Sequence, residues 1–266
     1  MSKHKSKNLY NQNNIDTMEM VYGRGYLSAG GDAEVAGIVD GFDLKAGRVL
    51  DLGCGLGGAS VTMARDLGAT DVVGFDIDEE VLARASLLVE ENQLEDRIQL
   101  VHGVPGVLQF ADESFDLVYL TAVACHMSDL GGFFEEIVRV LKPDGWLAGS
   151  DWMVREKNQE FRVWDDLLRN RGLNFYFVDQ LEFSRILKSV GFQQIRFNDR
   201  TGAFTEFSAV SSLRVAKELK ALLLASLGDE GYQAFKQWTD VRYSGLKNGG
   251  MSYQQLYAQK SGSGAN

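Results

Sequence analysis

Asp51, Asp76 and the glycines between them are the residues whose types and spacing carry the plainest chemical meaning in this 266-residue chain. The stretch Val49-Leu50-Asp51-Leu52-Gly53-Cys54-Gly55-Leu56-Gly57-Gly58 runs from apolar residues through an acid into four glycines within six positions. It reads as a buried strand, a tight turn and the start of a helix. The glycines tolerate positive φ and let backbone approach a ligand, at which the free N–H groups of the helix start would point. Gly53, Gly55 and Gly58 also satisfy the loose dinucleotide spacing, so the glycines alone leave nicotinamide, flavin and S-adenosylmethionine open. Asp51 weighs toward the last, because a carboxylate there attracts the ammonium of an amino-acid-bearing cofactor and repels a pyrophosphate. A glycine turn with no ligand is the bland alternative.

Asp76 lies 18 residues after Gly58, close to the offset at which an acid takes ribose hydroxyls in nucleotide-binding βαβ units. Asp78 is expected to cap the helix that follows. Ile77 joins the cofactor set with Tyr26, Ser28, Cys54, Gly55 and Thr121. Gly103 and Val104, in the loop Gly103-Val104-Pro105-Gly106, supply the adenine side. His126 stands just past a strand's carboxyl end, where an imidazole with an ordinary pKa can take or relay a proton; a structural histidine is the competing reading. Arg171 can clamp a phosphate or carboxylate, or be a solvated helix-end cation. Trp152 and Phe175-Tyr176-Phe177 read as core or as a wall for a methylated ammonium. No metal site is expected.

These groups need a scaffold. Strands at 49–52, 71–78, 97–101, 114–121 and 146–150 alternate with helices at 59–67, 79–92 and 131–141, the last stopped by Lys142-Pro143-Asp144-Gly145. That alternation implies parallel βαβ units with helices on both faces and a ligand beyond the strands' carboxyl ends. Before it, residues 8–30 hold Tyr10, Tyr22 and Tyr26 in a glycine-rich lead-in suited to a flap. A short helix at 32–41, capped by Asp32, follows. Further on come helices at 161–169 and 178–190, a strand at 192–197, long helical stretches at 204–227 and 229–244, and a last strand at 251–258. The organisation is a flap (1–31), an α/β core (32–200), a helical cover inserted before the last strand (201–248), that strand (249–260) and a disordered tail (261–266).

A net charge of −10 and a pI near 4.9 argue against general nucleic-acid or anionic-membrane binding. With two cysteines, no signal-peptide pattern and no apolar run long enough to span a bilayer, a reducing, cytoplasmic setting is expected.

The glycine motif, the acidic strand end at Asp76, the strand Phe115-Asp116-Leu117-Val118-Tyr119 and the turn Leu141-Lys142-Pro143-Asp144-Gly145 together resemble class I S-adenosylmethionine (SAM)-dependent methyltransferases. The resemblance implies a Rossmann-like doubly wound sheet of seven strands, the last antiparallel, with SAM as cofactor. Tyr22-Gly23-Arg24-Gly25-Tyr26-Leu27-Ser28-Ala29-Gly30-Gly31 is similar to the flap of phosphoethanolamine N-methyltransferases, and sarcosine and dimethylglycine N-methyltransferases share the helical cover. It implies that Tyr10 and His126 latch the site and assist proton removal, and that Arg171 and Arg242 hold a substrate phosphate. This chain departs from that pattern. Ala122 stands where the family has an aspartate facing the amine, Val104 replaces an acid near adenine, and Trp152, Leu167 and Leu173 replace tyrosines. The implied function is methyl transfer from SAM to a small molecule, foremost at an amine nitrogen of phosphoethanolamine-like or glycine/sarcosine-like type. The departures point to a different, more apolar acceptor pocket. Oxygen, sulfur or carbon methylation, nicotinamide-dependent oxidoreduction and a catalytically silent SAM-binding regulator are the alternatives.

Overall fold

Alternating apolar strands and amphipathic helices build one seven-stranded sheet covered on both faces; the structure, a computed structural model, describes residues 12–262. The elements are α1 (Gln12–Tyr22), α2 (Gly31–Val39), β1 (Arg48–Leu52), α3 (Gly58–Arg65), β2 (Asp71–Asp76), α4 (Glu79–Glu91), β3 (Ile98–His102), β4 (Phe115–Thr121), a 3-10 turn (Ala124–His126), α5 (Leu130–Val140), β5 (Leu141–Val154), α6 (Gln159–Asn170), α7 (Gln180–Ser189), β6 (Phe192–Asp199), α8 (Thr201–Ala216), α9 (Lys220–Lys247) and β7 (Met251–Lys260).

Strand order is β3-β2-β1-β4-β5-β7-β6, and only β7 runs antiparallel to its neighbours. The order reverses at β1, which pairs with β2 on one side and β4 on the other. That reversal opens a crevice beyond the carboxyl ends of β1, β2 and β4, where the glycine turn leaves the sheet. Side chains alternate across the strands with period two. Leu50, Leu52, Val118 and Leu120 meet Phe134 and Ile137 of α5 and Leu187 of α7 on one face. Val49, Leu117 and Tyr119 meet Ile38, Val61, Met63 and Val89 of α2, α3 and α4 on the other. Asp51 shares the second face with Val49, so its carboxylate is carried under α3.

Helix α5 shows how little local information such an element needs. Asp129 caps it by accepting the Gly132 N–H, and Leu130, Phe134, Ile137 and Val140 form its buried stripe. Each such side chain is worth about 1.5–3 kcal/mol in removal from water.

Several local expectations are corrected. Residues 142–145 do not separate a helix from a strand beginning at 146: β5 starts at Leu141 and continues past Ser150 to Val154, with a register shift against β4 where Pro143 has no N–H to donate. Nine residues of β7 pair with its later part, which is what extends it. The helix expected at 204–227 is interrupted after Ala216; α9 begins at Lys220 and kinks at Gly228, where φ is 68°. Asp32 does not cap α2, which starts after Gly30 with no side-chain cap; its carboxylate instead receives the Tyr26 and Thr62 hydroxyls. Ser261, expected in a disordered tail, is tied by N–H and hydroxyl to the Gly191 carbonyl. The flap contains a helix, α1, that its polar sequence did not suggest. Among the described residues no helix is long and apolar enough to cross a membrane, and no group of three or more metal-ligating side chains converges.

Candidate active site

The turn after β1 is built from backbone. Gly53 and Cys54 N–H groups both donate to the Phe75 carbonyl (2.8 and 3.0 Å), locking the turn against the end of β2. Gly53, Gly55 and Gly57 have φ of 72°, 55° and 82°, values that penalise any side chain. Gly58 matters for a second reason: its N–H donates to the Gly25 carbonyl at 3.1 Å, and a Cβ there would lie 2.5 Å from the same oxygen. The flap crosses the helix start at this point. Cys54 is buried, which pushes its thiol up and leaves it unreactive.

Asp51 and Asp76 end adjacent parallel strands. Asp51 is 2% exposed, and its carboxylate accepts the Ser60 hydroxyl at 2.6 Å. No cation pairs with it among the described residues, and burial pushes its pKa up to about 7, with Ser60 pulling the other way. A buried carboxylate whose hydrogen bonds come from Ser60, with no described cation beside it, is a fit for an ammonium. Asp76 accepts the Gly55 N–H on Oδ2 (2.9 Å) and those of Ile77 and Asp78 on Oδ1 (2.7 and 3.1 Å). A carboxylate offers about four acceptor sites, so Oδ2 keeps room for a hydroxyl. Asp78 accepts from Glu80 and Val81 and caps α4. Ile77 and Val104, each 49% exposed, are apolar edges flanking the Gly103 backbone, whose N–H donates to the Asp76 carbonyl. Aromatic bases stack on such edges. The acids, the glycine turn and these apolar edges are groups that could hold an ammonium, a ribose and a base.

The flap lies over this turn. Tyr26 donates to Asp32 Oδ1 at 2.6 Å and lies 2.9 Å from the Thr62 hydroxyl; burial foremost, then Asp32, drives its phenol up. Leu27 packs on Gly55, and Ser28 stands half-buried in the same segment. Glu19 of α1 accepts the Gly25 N–H (2.7 Å), and Arg84 of α4 reaches Asp16 and Glu19 (2.6 and 3.4 Å), which fastens the flap's base. Tyr10 lies outside the described residues.

The other side of the crevice follows β4. Thr121 donates to the Tyr119 hydroxyl at 2.7 Å, and Ala122 takes φ of 55°, unusual for a residue with a side chain. The 3-10 turn then places His126 with its ring 4.3 Å from that of Phe175. Burial lowers the imidazole to about 4, so it is neutral near pH 7, a weaker base than an ordinary histidine. Asp151, which sequence reasoning missed, accepts the N–H groups of Ala124 and Cys125 (2.7 and 3.3 Å) beneath that turn. An acid closing the apolar run Trp146 to Ser150 was the available signal, the same one that marked Asp51 and Asp76.

Trp152 sits in an aromatic cluster with Tyr253, Trp164 and Phe204, at ring separations of 4.7, 5.1 and 6.2 Å. Phe175 and Phe177 stack at 5.4 Å and Phe177 meets Trp164 edge-on at 6.5 Å, so they serve as packing as well as wall. The two candidate arginines differ. Arg171 donates through Nη2 to the Ala234 carbonyl and lies 5.8 Å from the Trp238 ring, which binds it to α9. Arg242 is 3% exposed and lies 5.3 Å from the Tyr22 ring, whose hydroxyl accepts from Nη1, while Nε and Nη2 have no partner among the described residues. Trp164 Nε1 and Ser208 Oγ are likewise buried with no partner among them. Tyr22, Phe207 and the neighbouring Ser208, with the Trp164 ring against Gly245 one turn from Arg242, place these donors around the inner face of the cover.

A family model described as a methyltransferase domain matches residues 50–149. Phosphoethanolamine N-methyltransferase 3 of Arabidopsis thaliana is 28% identical over 84% of this chain and 44% of its own length; the chain thus spans less than half of that relative. Sterol 24-C-methyltransferase ERG6B of Gibberella zeae is 32% identical over 57% of this chain and 41% of its own length. A Haemonchus contortus phosphoethanolamine N-methyltransferase 2, in complex with phosphomonomethylethanolamine and S-adenosylhomocysteine, superposes with a TM-score of 0.86 at 23% identity, covering 96% of this chain and 59% of that one. With the sheet order and these matches in hand, the chain has the Rossmann-like class I methyltransferase fold, and its residues 50–149 match a methyltransferase domain.

Proposed function

We propose that this protein transfers the methyl group of SAM to an amine nitrogen of a small molecule that also carries an anionic group, of phosphoethanolamine-like or glycine/sarcosine-like type. The observation that carries the reading is the Nε and Nη2 edge of Arg242, buried and without a partner among the described residues, with Nη1 already engaged by Tyr22. That edge is the side of a guanidinium suited to two-point capture of a carboxylate or phosphate. Burying donors unmatched is costly, and an anion on the acceptor removes the cost. Arg171, held on α9, is left as a secondary candidate for the same anion.

In this reading Asp51 holds the cofactor's ammonium and Asp76 its ribose. Ile77, Gly103 and Val104 flank the adenine, and Gly53, Cys54, Gly55, Tyr26, Ser28 and Thr121 line the remainder. Bound there, SAM would supply an electrophilic methyl group, its sulfur keeping the S–C bonding pair while the amine lone pair forms the new N–C bond. The chain's own part is positioning, with Trp152 as the acceptor's wall and the flap excluding water. The attacking amine must be neutral. With Ala122 in place of a carboxylate and aromatic rings around it, desolvation favours the neutral amine with no counter-charge opposing that preference. His126, neutral and half-buried, accepts a hydrogen bond from the amine and relays its proton outward, with Tyr10 as the latch. The same apolar walls, and the similarity to a sterol C-methyltransferase, support carbon methylation as the second reading.

The test incubates purified protein with methyl-labelled SAM and a panel of phosphobases, glycine derivatives, plain amines, phenols, thiols and olefins. Label on anion-bearing amines and none on their uncharged counterparts is expected. Label confined to a phenol, thiol or olefin overturns the nitrogen assignment. A rise in melting temperature with NAD rather than SAM would instead indicate an oxidoreductase.

A further inference from the structure

We infer that Asp151 is a positioning residue that registers His126 and Trp152 against each other across the acceptor space. This rests on the reading that His126 acts in the transfer. Asp151 lies on β5 with its carboxylate fully buried, and no ion pair reaches it among the described residues. Its contacts are to three backbone N–H groups and to the Cys125 thiol, all in the turn or on its own strand. Oδ2 accepts from Ala124 (2.7 Å) and Cys125 (3.3 Å), and Oδ1 accepts from Trp152 (2.7 Å).

The first N–H groups of a helical turn have no partner within it, and here the turn is buried, so water does not supply one. Asp151 caps it from the adjacent strand. The turn is otherwise held by the His126 and Met127 N–H groups on Val123 and Ala124 (3.0 Å each) and by the Cys125 carbonyl, which accepts from Tyr176 at 2.7 Å. With Oδ2 removed, the Ala124 and Cys125 N–H groups are orphaned and the turn must roll to find acceptors. Rolling carries the imidazole off the Phe175 ring. The other oxygen grips the strand at Trp152, whose indole packs on Tyr253 and Trp164. One carboxylate therefore holds both the turn that carries His126 and the strand that carries Trp152. A buried charge is a costly way to satisfy three amides; two diverging oxygens, both able only to accept, are what an amide side chain lacks.

The experiment compares wild type, Asp151→Asn, His126→Ala and the double variant. The side-chain amide nitrogen of Asp151→Asn must face one of the N–H groups that the carboxylate accepts. Imidazole cross-peaks of His126, assigned by their loss in His126→Ala, are followed by NMR in the SAM-bound protein, and a SAM-induced rise in melting temperature certifies each variant's fold. The expected result is displaced His126 cross-peaks and a fall in kcat of about 100-fold, the scale of a misplacement of about 1 Å. KM for SAM should stay within about twofold of wild type, with no further loss when Asp151→Asn is added to His126→Ala. Unmoved cross-peaks in folded Asp151→Asn, or losses that multiply in the double variant, overturn the proposal. Displaced cross-peaks with a His126→Ala that turns over normally would uphold the positioning role and refute the catalytic reading of His126. Should Asp151→Asn fail to fold, Asp151→Ser, which keeps one acceptor, carries the same comparison.

Discussion

If Asp51 receives the cofactor's ammonium, binding must expel a proton, and the amount follows from the site's geometry. The carboxylate is 2% exposed, with the Ser60 hydroxyl at 2.6 Å, and burial raises it to about 7. Its folded pKa lies above its unfolded value, so the free protein favours the protonated acid up to that pH. An ammonium selects the ionised form. Proton release on binding should therefore be about 0.9 at pH 6, about 0.5 at pH 7 and about 0.1 at pH 8, and affinity should rise nearly tenfold per pH unit below about 6 before levelling off. The assay is calorimetric titration with S-adenosylhomocysteine, which does not react, in pairs of buffers of different ionisation enthalpy. The ligand's own ammonium titrates in every case, so the difference between wild type and Asp51→Asn isolates the carboxylate. The linkage has a second face. The stability this group contributes is complete below its unfolded pKa and is lost as pH rises through about 7, a loss on the order of 4 kcal/mol for a group this buried. Asp51→Asn should thus melt higher than wild type at pH 8 while binding ligand more weakly. Equal proton release in the two proteins, or wild-type affinity flat from pH 6 to pH 8, would refute the reasoning.

Arg242→Met should raise KM for an anion-bearing acceptor by about 100-fold, from the loss of two charge-assisted hydrogen bonds, with SAM affinity unchanged; an equal rise for an acceptor lacking the anion would show only a disturbed cover. Gly58→Ala should lower stability by about 1–3 kcal/mol through its clash with the Gly25 carbonyl, and calorimetry should show weaker SAM binding as the flap lifts. His126→Ala should cost about 10²–10⁴ in kcat. With the imidazole held near 4 by burial, the rate it supports should be flat from about pH 5.5 to pH 8; an acid limb near 6.5 that vanishes in the variant would mean the ring is solvated. The fold stability that His126 contributes runs opposite to that of Asp51, being complete above 6.5 and lost as pH falls through about 4, and acid melting of wild type against His126→Ala measures it.

The chain itself determined what depends on near neighbours. Four glycines behind an apolar strand require a turn, the Asp78 carboxylate lies within reach of N–H groups two and three residues on, and the stripe of α5 is a matter of spacing. The pairing of Asp51 and Asp76 was legible too, because parallel strands joined by one helix bring their acidic ends to the same edge. What the tertiary structure decided is how each polar group is matched, and that depends on residues far away in sequence. Arg171 and Arg242 are alike as letters, yet one donates to a carbonyl 63 positions away while the other meets a tyrosine 220 positions away and keeps an edge with no partner among the described residues. Asp32 sits where a cap belongs but finds hydroxyls from the flap and from α3. Asp151 acquires its task from a turn 26 and 27 residues earlier, and His126 its weakened basicity from burial behind Phe175. Local conformation follows from covalent geometry and periodicity, whereas charge state and hydrogen-bond partnership follow from desolvation, which exists only once distant elements have closed over the site.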